Sequence, residues 1–423
     1  MTVQKVDVLI IGAGPAGLAA AVAVREQGID SLLVLEREKE PGGILRQCVH
    51  NGFGLHRFHE ELTGPEYAQR DIDRVRELGI PVECGTTVLS VSSDRIITCV
   101  SPQSGFRRIS AGAVILAMGC RERPRGALCI PGTRCAGIYS AGTAQRFVNL
   151  EGFMPGKRTV ILGSGDIGLI MARRMTLQGA EVLACVEIMP YSSGLNRNIV
   201  QCLEDFGIPL YLNHTVTDIR GRDRLSGITI SRVDHSRNPV PGTEIRFECD
   251  TLLLSCGLIP ENELSLGAGV ALSPFTSGPV VRETLETSVP GIFACGNVLH
   301  VHDLVDHVSD ESFRAGKAAA DYIRFGPVSS RTFRVLDGPG VRGTVPQLIS
   351  THPSEDVRLM FRPSGVYKNA CAIVECGGKE ILRKKSAVFT PGEMADLTLK
   401  MDSFDSLAGD EIRVRLEGEK QYG

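Results

Sequence analysis

The chain has 423 residues, 43% of them apolar and 22% charged, a length that fits two or three domains. Its net charge of -3 leaves no electrostatic footprint for nucleic acid or an anionic membrane surface. The first residues lack the pattern of a signal peptide and no uncharged apolar run nears the roughly 18 residues of a membrane span, so a cytoplasmic protein is expected.

Residues Val6 to Ile11 read as a buried strand, followed by Gly12, Gly14 and Gly17 and a helix over Ala16–Gln27 with Gly28 as its cap. Ser31–Leu35 is the next strand and ends on Glu36. The same order returns downstream: strand Thr159–Leu162, turn Gly163, Gly165 and Gly168, helix Ile167–Gln178, strand Val182–Val186, then Glu187. From first glycine to closing glutamate the separation is 24 residues in both units, 12 to 36 and 163 to 187. Each unit has the parts of a dinucleotide site: a tight turn, a glycine that lets backbone approach a pyrophosphate, a helix N-terminus and an acid for ribose hydroxyls. Two such sites in one chain suggest a flavin and a nicotinamide, one giving hydride to the other.

Beyond about Phe325, alternating segments at Val357–Phe361, Ala372–Glu375, Leu397–Leu399 and Ile412–Leu416 predict a small all-β sandwich, with the Gly/Pro-rich stretch Asp337–Gly343 as its junction. Thirteen cysteines are scattered with no C-x-x-C pair, so metal, iron–sulfur and dithiol signatures are missing. His300 and His302, with Asp303 and Asp306, have the composition of a metal site just before a helix expected over Asp310–Phe325.

Three segments carry a resemblance. TSVPGIFACGN (Thr287–Asn297) resembles the second FAD motif of the flavoprotein disulfide-reductase superfamily, with Asn297 where that motif has an acid for the ribityl chain. AVILAMG (Ala113–Gly119) resembles the strand that closes its FAD domain, and Gly42–Leu45 and Leu62–Glu66 are similar to the flavin-side loops of thioredoxin reductases. The dithiol of those enzymes is replaced here by Ser140 and Thr143. The runs GGILRQCVHNGFGLH, MGCRERPR, SAGTAQRFVNLEG and HVHDLVDHVSDES further resemble the group of NAD(FAD)-dependent dehydrogenase subunits that includes sarcosine oxidase α, opine oxidase A and hydrogen cyanide synthase B.

The resemblance implies an α/β fold with two Rossmann-like domains, the FAD domain (1–118 and 250–328) split by an NAD domain (119–249), and a β-sandwich over 329–423. It implies FAD and NAD as cofactors. The residues so assigned to cofactors are Gly12, Gly14, Pro15, Ala16, Gly17, Glu36, Arg37, Gly43, Ile44, Gly119, Gly296 and Asn297 in the first domain, and Gly163, Gly165, Asp166, Ile167, Gly168 and Glu187 in the second. Cys48 and His50 are candidate proton donors or charge-transfer partners, and His302 a candidate catalytic residue; the resemblance puts the histidine segment beside the flavin ring, so no metal is assigned. Glu187, with no arginine just after it, favours NAD over NADP. The expected activity is electron transfer between NAD(H) and a partner dehydrogenase or iron–sulfur subunit, in a complex acting on glycerol 3-phosphate or a 2-hydroxyacid. The alternative expectations are a stand-alone NADH oxidase or amine/hydroxyacid dehydrogenase, and a non-catalytic flavin-loaded scaffold subunit.

Overall fold

A computed structural model describes residues 3–327 and 330–422. The chain divides into two compact units, Met1–Cys120 with Pro260–Gly423 and Arg121–Ile259. The expected boundary at 328/329 lies outside the described residues.

Unit 1 is built on a seven-stranded sheet. Its parallel part runs in the order Val82–Glu83, Leu32–Leu35, Gln4–Ile11, Gly105–Leu116, Ile292–Ala294, a doubly wound arrangement. Apolar residues fill both faces of the central strand, with Val8, Leu9 and Ile10 fully buried, as parallel strands covered on both sides require. The strand Gly105–Leu116 serves twice: its first half pairs antiparallel with Ile96–Ser101 and its last three residues pair parallel with Ile292–Ala294. Helix Pro15–Glu26 packs closely against the long helix Val305–Phe325, because a Cβ at Gly316 would collide with the carbonyl of Ala20.

The C-terminal part of unit 1 is an all-β body of a five-stranded and a three-stranded sheet around its own core, which includes Phe333, Leu359, Phe361, Val374 and Val414. The Asp337–Gly343 stretch is a turn inside this body and not its junction. Strand Thr332–Asp337 before it already pairs with Glu411–Tyr422, and Asp337 accepts from the N–H groups of Gly343 and Thr344 to shape the turn.

Unit 2 has a five-stranded, wholly parallel sheet in the order Ile138–Ser140, Thr251–Leu254, Arg158–Leu162, Glu181–Glu187, Leu210–Leu212. A three-stranded antiparallel meander over residues 214–247 covers one side of it. No helix among the described residues is long and apolar enough to cross a membrane.

Candidate functional site

The two glycine turns share one steric signature. Gly12 and Gly163 have φ of +104° and +100°, and a Cβ on either would run into the carbonyl of the residue just past a neighbouring strand, Ala117 at 2.5 Å for Gly12 and Ser255 for Gly163. Gly17 and Gly168 face the carbonyl oxygen of the first glycine of their own turn, and a Cβ there would collide with it. These four glycines are required by packing and backbone geometry. Gly14 and Gly165 are different. Their backbone is extended (φ -75° and -67°), and the nearest atom to an added Cβ is 3.8 Å away at Gly14 and 3.7 Å at Gly165. No packing contact among the described residues requires glycine at either position. The space in front of the helix N-terminus is what a pyrophosphate occupies, so the residues fit a dinucleotide at both turns.

The acids repeat as closely. Glu36 accepts from the N–H of Ala13 at 2.7 Å and of Glu38 at 2.8 Å. Glu187 accepts from the N–H of Ser164 at 3.0 Å and of Met189 at 2.9 Å, and from the Ser164 hydroxyl at 2.6 Å. In each case one donor follows the first glycine and the other lies two residues past the acid, so both carboxylates are buried and held in one orientation. Ionised, each retains acceptor capacity for ribose hydroxyls.

The other assigned residues of unit 1 gather around the first turn. Pro15 opens the helix with Ala16 buried behind it. Gly43 lies on Gly14, its Cβ position 2.8 Å from the Gly14 Cα, and Gly42 donates to the Ala13 carbonyl at 2.8 Å. Ile44 is 56% exposed, an apolar side chain left uncovered beside the cradle, and Arg37 is exposed as well. Gly119 is left-handed (φ +74°) with open space at its Cβ. Gly296 (φ +70°) packs on Ala16, 2.8 Å from its Cβ. Asn297 donates to the Cys120 Sγ at 3.6 Å and accepts from the His302 N–H at 3.0 Å.

In unit 2, Ile167 is half-buried in the helix, while Asp166 turns to the chain after the second strand and accepts from the Leu195 N–H at 2.9 Å and Asn198 Nδ2 at 2.6 Å. Ser140 caps the helix Ala141–Arg146, and its Oγ lies 2.9 Å from the Thr143 Oγ1. Two hydroxyls thus meet on one helical turn, and neither can form a disulfide.

Cys48 and His50 follow the Gly43–Gln47 turn. Burial pushes the Cys48 thiol up to about 12, so it is protonated at neutral pH, which disfavours a charge-transfer thiolate and leaves a proton donor. His50 Nδ1 is 3.1 Å from the Asn51 carbonyl, and its ring lies 5.0 Å from that of Phe53. The LTGPE run is a helix start: Thr63 and Glu66 form a reciprocal capping box, and a Cβ on Gly64 would meet the carbonyls of Leu45 and Cys48 at 2.5 and 2.6 Å.

The histidine segment is arranged differently from its sequence. His300 and His302 are joined by Glu311, which the sequence reading missed, and not by Asp303 or Asp306. Asp303 pairs with Arg362 of the β body, and Asp306 accepts from the His56 N–H at 3.3 Å. The helix begins at Val305, five residues before the expected start, with Leu304 at its N-cap and no side-chain cap. A glutamate nearly two helical turns into a buried face carries no sequence signal of its own.

The family described as pyridine nucleotide-disulphide oxidoreductase matches residues 6–316. The opine oxidase A polypeptide of Agrobacterium tumefaciens (strain Ach5) is 26% identical over 313 residues, 69% of this chain and 61% of that one. Hydrogen cyanide synthase subunit HcnB of Pseudomonas protegens is 24% identical over 288 residues, 63% of this chain and 60% of its own. The chain therefore spans about three fifths of the length of these two curated relatives. Among solved structures, thioredoxin reductase from T. acidophilum superposes with a TM-score of 0.62 at 25% identity, covering 75% of this chain and 98% of that one.

Proposed function

The chain belongs to the pyridine nucleotide-disulphide oxidoreductase family; from that premise we propose that it is a flavin-dependent oxidoreductase that passes electrons between NAD(H) and a partner redox subunit, with no dithiol of its own. Bound FAD supplies the hydride and electron chemistry, and the protein supplies binding and orientation. In unit 1, Gly14 leaves room for the pyrophosphate, Glu36 takes ribose hydroxyls, Gly43, Ile44 and Gly119 close on the cofactor, and Asn297 meets the ribityl chain. In unit 2, Gly165 does for the nicotinamide nucleotide what Gly14 does for FAD. Glu187 accepts from the adenosine ribose and repels a 2′-phosphate, which favours NAD over NADP. Cys48 and His50 are held for proton delivery.

The observation that carries this reading is the paired signature of the turns, in which only the middle glycine is free of any packing requirement. Ser140 and Thr143 support a dithiol-free reaction. Similarity to proteins named as parts of an oxidase and a synthase supports a partner, which we take to be a dehydrogenase of the glycerol-3-phosphate or 2-hydroxyacid type. Thirteen cysteines with no C-x-x-C pair among them suit the reducing cytoplasm. Anaerobic reduction of the FAD-loaded chain tests the reading: one NADH per flavin is expected to bleach it, with NADPH much slower. A demand for two equivalents per flavin would reveal a second two-electron centre, and equal rates with NADPH would remove the assignment of Glu187.

A further inference from the structure

Two buried acceptor atoms near the head of the helix Val305–Phe325, His302 Nδ1 and Asp306 Oδ1, have no hydrogen-bond partner among the described residues. Buried polar atoms without partners are rare enough that each needs a reason.

Glu311 settles what kind of atom His302 Nδ1 is. This fully buried carboxylate faces the Nε2 atoms of His300 at 2.6 Å and of His302 at 3.1 Å, and accepts from the Gly296 N–H at 2.8 Å. Burial works to raise its pKa, but the two imidazoles outweigh that and hold it well below the usual carboxylate range. Ionised, it can only accept, so each Nε2 carries a hydrogen. Burial also lowers the pKa of His302, against the pull of Glu311 and with His300 and His307 adding to the lowering. The ring therefore has a single hydrogen, and Nδ1 is a bare acceptor.

The place of this atom points to its donor. Gly296, tied to Glu311, lies against Ala16 in the first glycine turn. The His302 backbone is bonded to Asn297, and Asp306 is bonded to His56 in the chain following the Gly43–Gln47 turn. Oxidised FAD has two kinds of donor near its ring, the imide N–H and the ribityl hydroxyls. We propose that His302 accepts a hydrogen bond through Nδ1 from one of these donors of the bound FAD, and that Glu311 is the positioning residue that fixes its tautomer. This rests on unit 1 being the FAD site. One metal-ligating atom from each of His300, His302 and Glu311 lies within 4.8 Å of the others, a spacing that a metal ion also fits. The Gly296 N–H already on Glu311 and the half-buried Arg314 guanidinium in its field favour the hydrogen-bonded cluster.

The test titrates the apo chain with FAD, reading the dissociation constant and the visible flavin bands, with apo melting curves to establish folding. His302→Gln keeps a donor for Glu311 and loses the δ acceptor; we expect binding weaker by about tenfold, with shifted bands. His302→Asn, which restores an oxygen at the δ position, recovers part of the loss. With FAD methylated at the imide nitrogen, the His302→Gln penalty vanishes if the imide is the donor and persists if a ribityl hydroxyl is. A wild-type chain that binds no FAD overturns the site and the inference together. Tight wild-type binding with an unchanged His302→Gln overturns the inference alone, as does a stoichiometric divalent metal in the purified chain. A readout independent of any variant is the ¹⁵N resonance of His302 Nδ1, expected as a bare acceptor in the apo chain and moved by FAD; an Nδ1–H in the apo chain overturns the proposal.

Discussion

Gly14 and Gly17 lie three residues apart in one turn, yet a methyl group means something different at each. Gly17→Ala forces a Cβ into the Gly12 carbonyl, so a loss of about 1–3 kcal/mol and a lower melting temperature are expected. Gly14→Ala meets nothing closer than 3.8 Å, so the apo chain should melt as wild type does while its FAD affinity falls at least about tenfold. Equilibrium melting and FAD titration of the two variants separate these outcomes, and a Gly14→Ala chain that binds FAD normally would contradict the cradle. This part of the site was legible in the sequence because turn, helix and acid sit at fixed spacing and each has a local cause. Glu311 was not legible, since its partners lie nine and eleven residues earlier and only the fold brings them together.

The helix Val305–Phe325 shows where element reading stops. Ser309, Asp310 and Glu311 have the composition of a helix start, but the helix is already a turn old there: Ser309 bonds the Tyr67 hydroxyl at 2.9 Å and Glu311 faces the histidines. Leu304 offers no capping side chain, so the true start left no mark. Strand Lys379–Phe389 went unseen for a related reason. It is an edge strand exposed along most of both faces, so it lacks period-two alternation, and its lysines and arginine guard the edge against pairing with another chain. Replacing Lys384 and Lys385 by Val should raise aggregation in light scattering without lowering the melting temperature of the soluble fraction. At the helix pair, Gly316→Ala places a methyl against the Ala20 carbonyl, and a loss of about 1–3 kcal/mol is expected in denaturant unfolding. The doubly wound sheets were readable because buried parallel strands are short apolar runs with glycine turns between them.

At the scale of the whole molecule, the thiols set a limit on alkaline stability. Burial pushes Cys48, Cys185, Cys256 and Cys295 up to about 12 and Cys249 up to about 11, from an unperturbed 9.0. An acid whose folded pKa is raised ionises first in the unfolded chain. The stabilising effect of these neutral thiols, with Cys185, Cys249 and Cys295 buried and Cys48 and Cys256 half-buried, is therefore complete below pH 9 and lost as the pH climbs toward 12. Melting temperatures should be flat up to about pH 8.5 and fall steadily above 9; a flat profile to pH 11 would mean that the thiols are not buried as described. In the proposed reaction two like cradles hold two different nucleotides, and electrons pass between them. Its most direct measurement is an anaerobic NADH titration of the FAD-loaded Gly165→Ala chain beside wild type, following flavin absorbance. The Gly165→Ala protein is expected to retain its full yellow flavin yet to bleach only at NADH concentrations at least about tenfold higher than wild type. Bleaching of both proteins at the same NADH concentration, or loss of the flavin itself from Gly165→Ala, would contradict the proposed reaction.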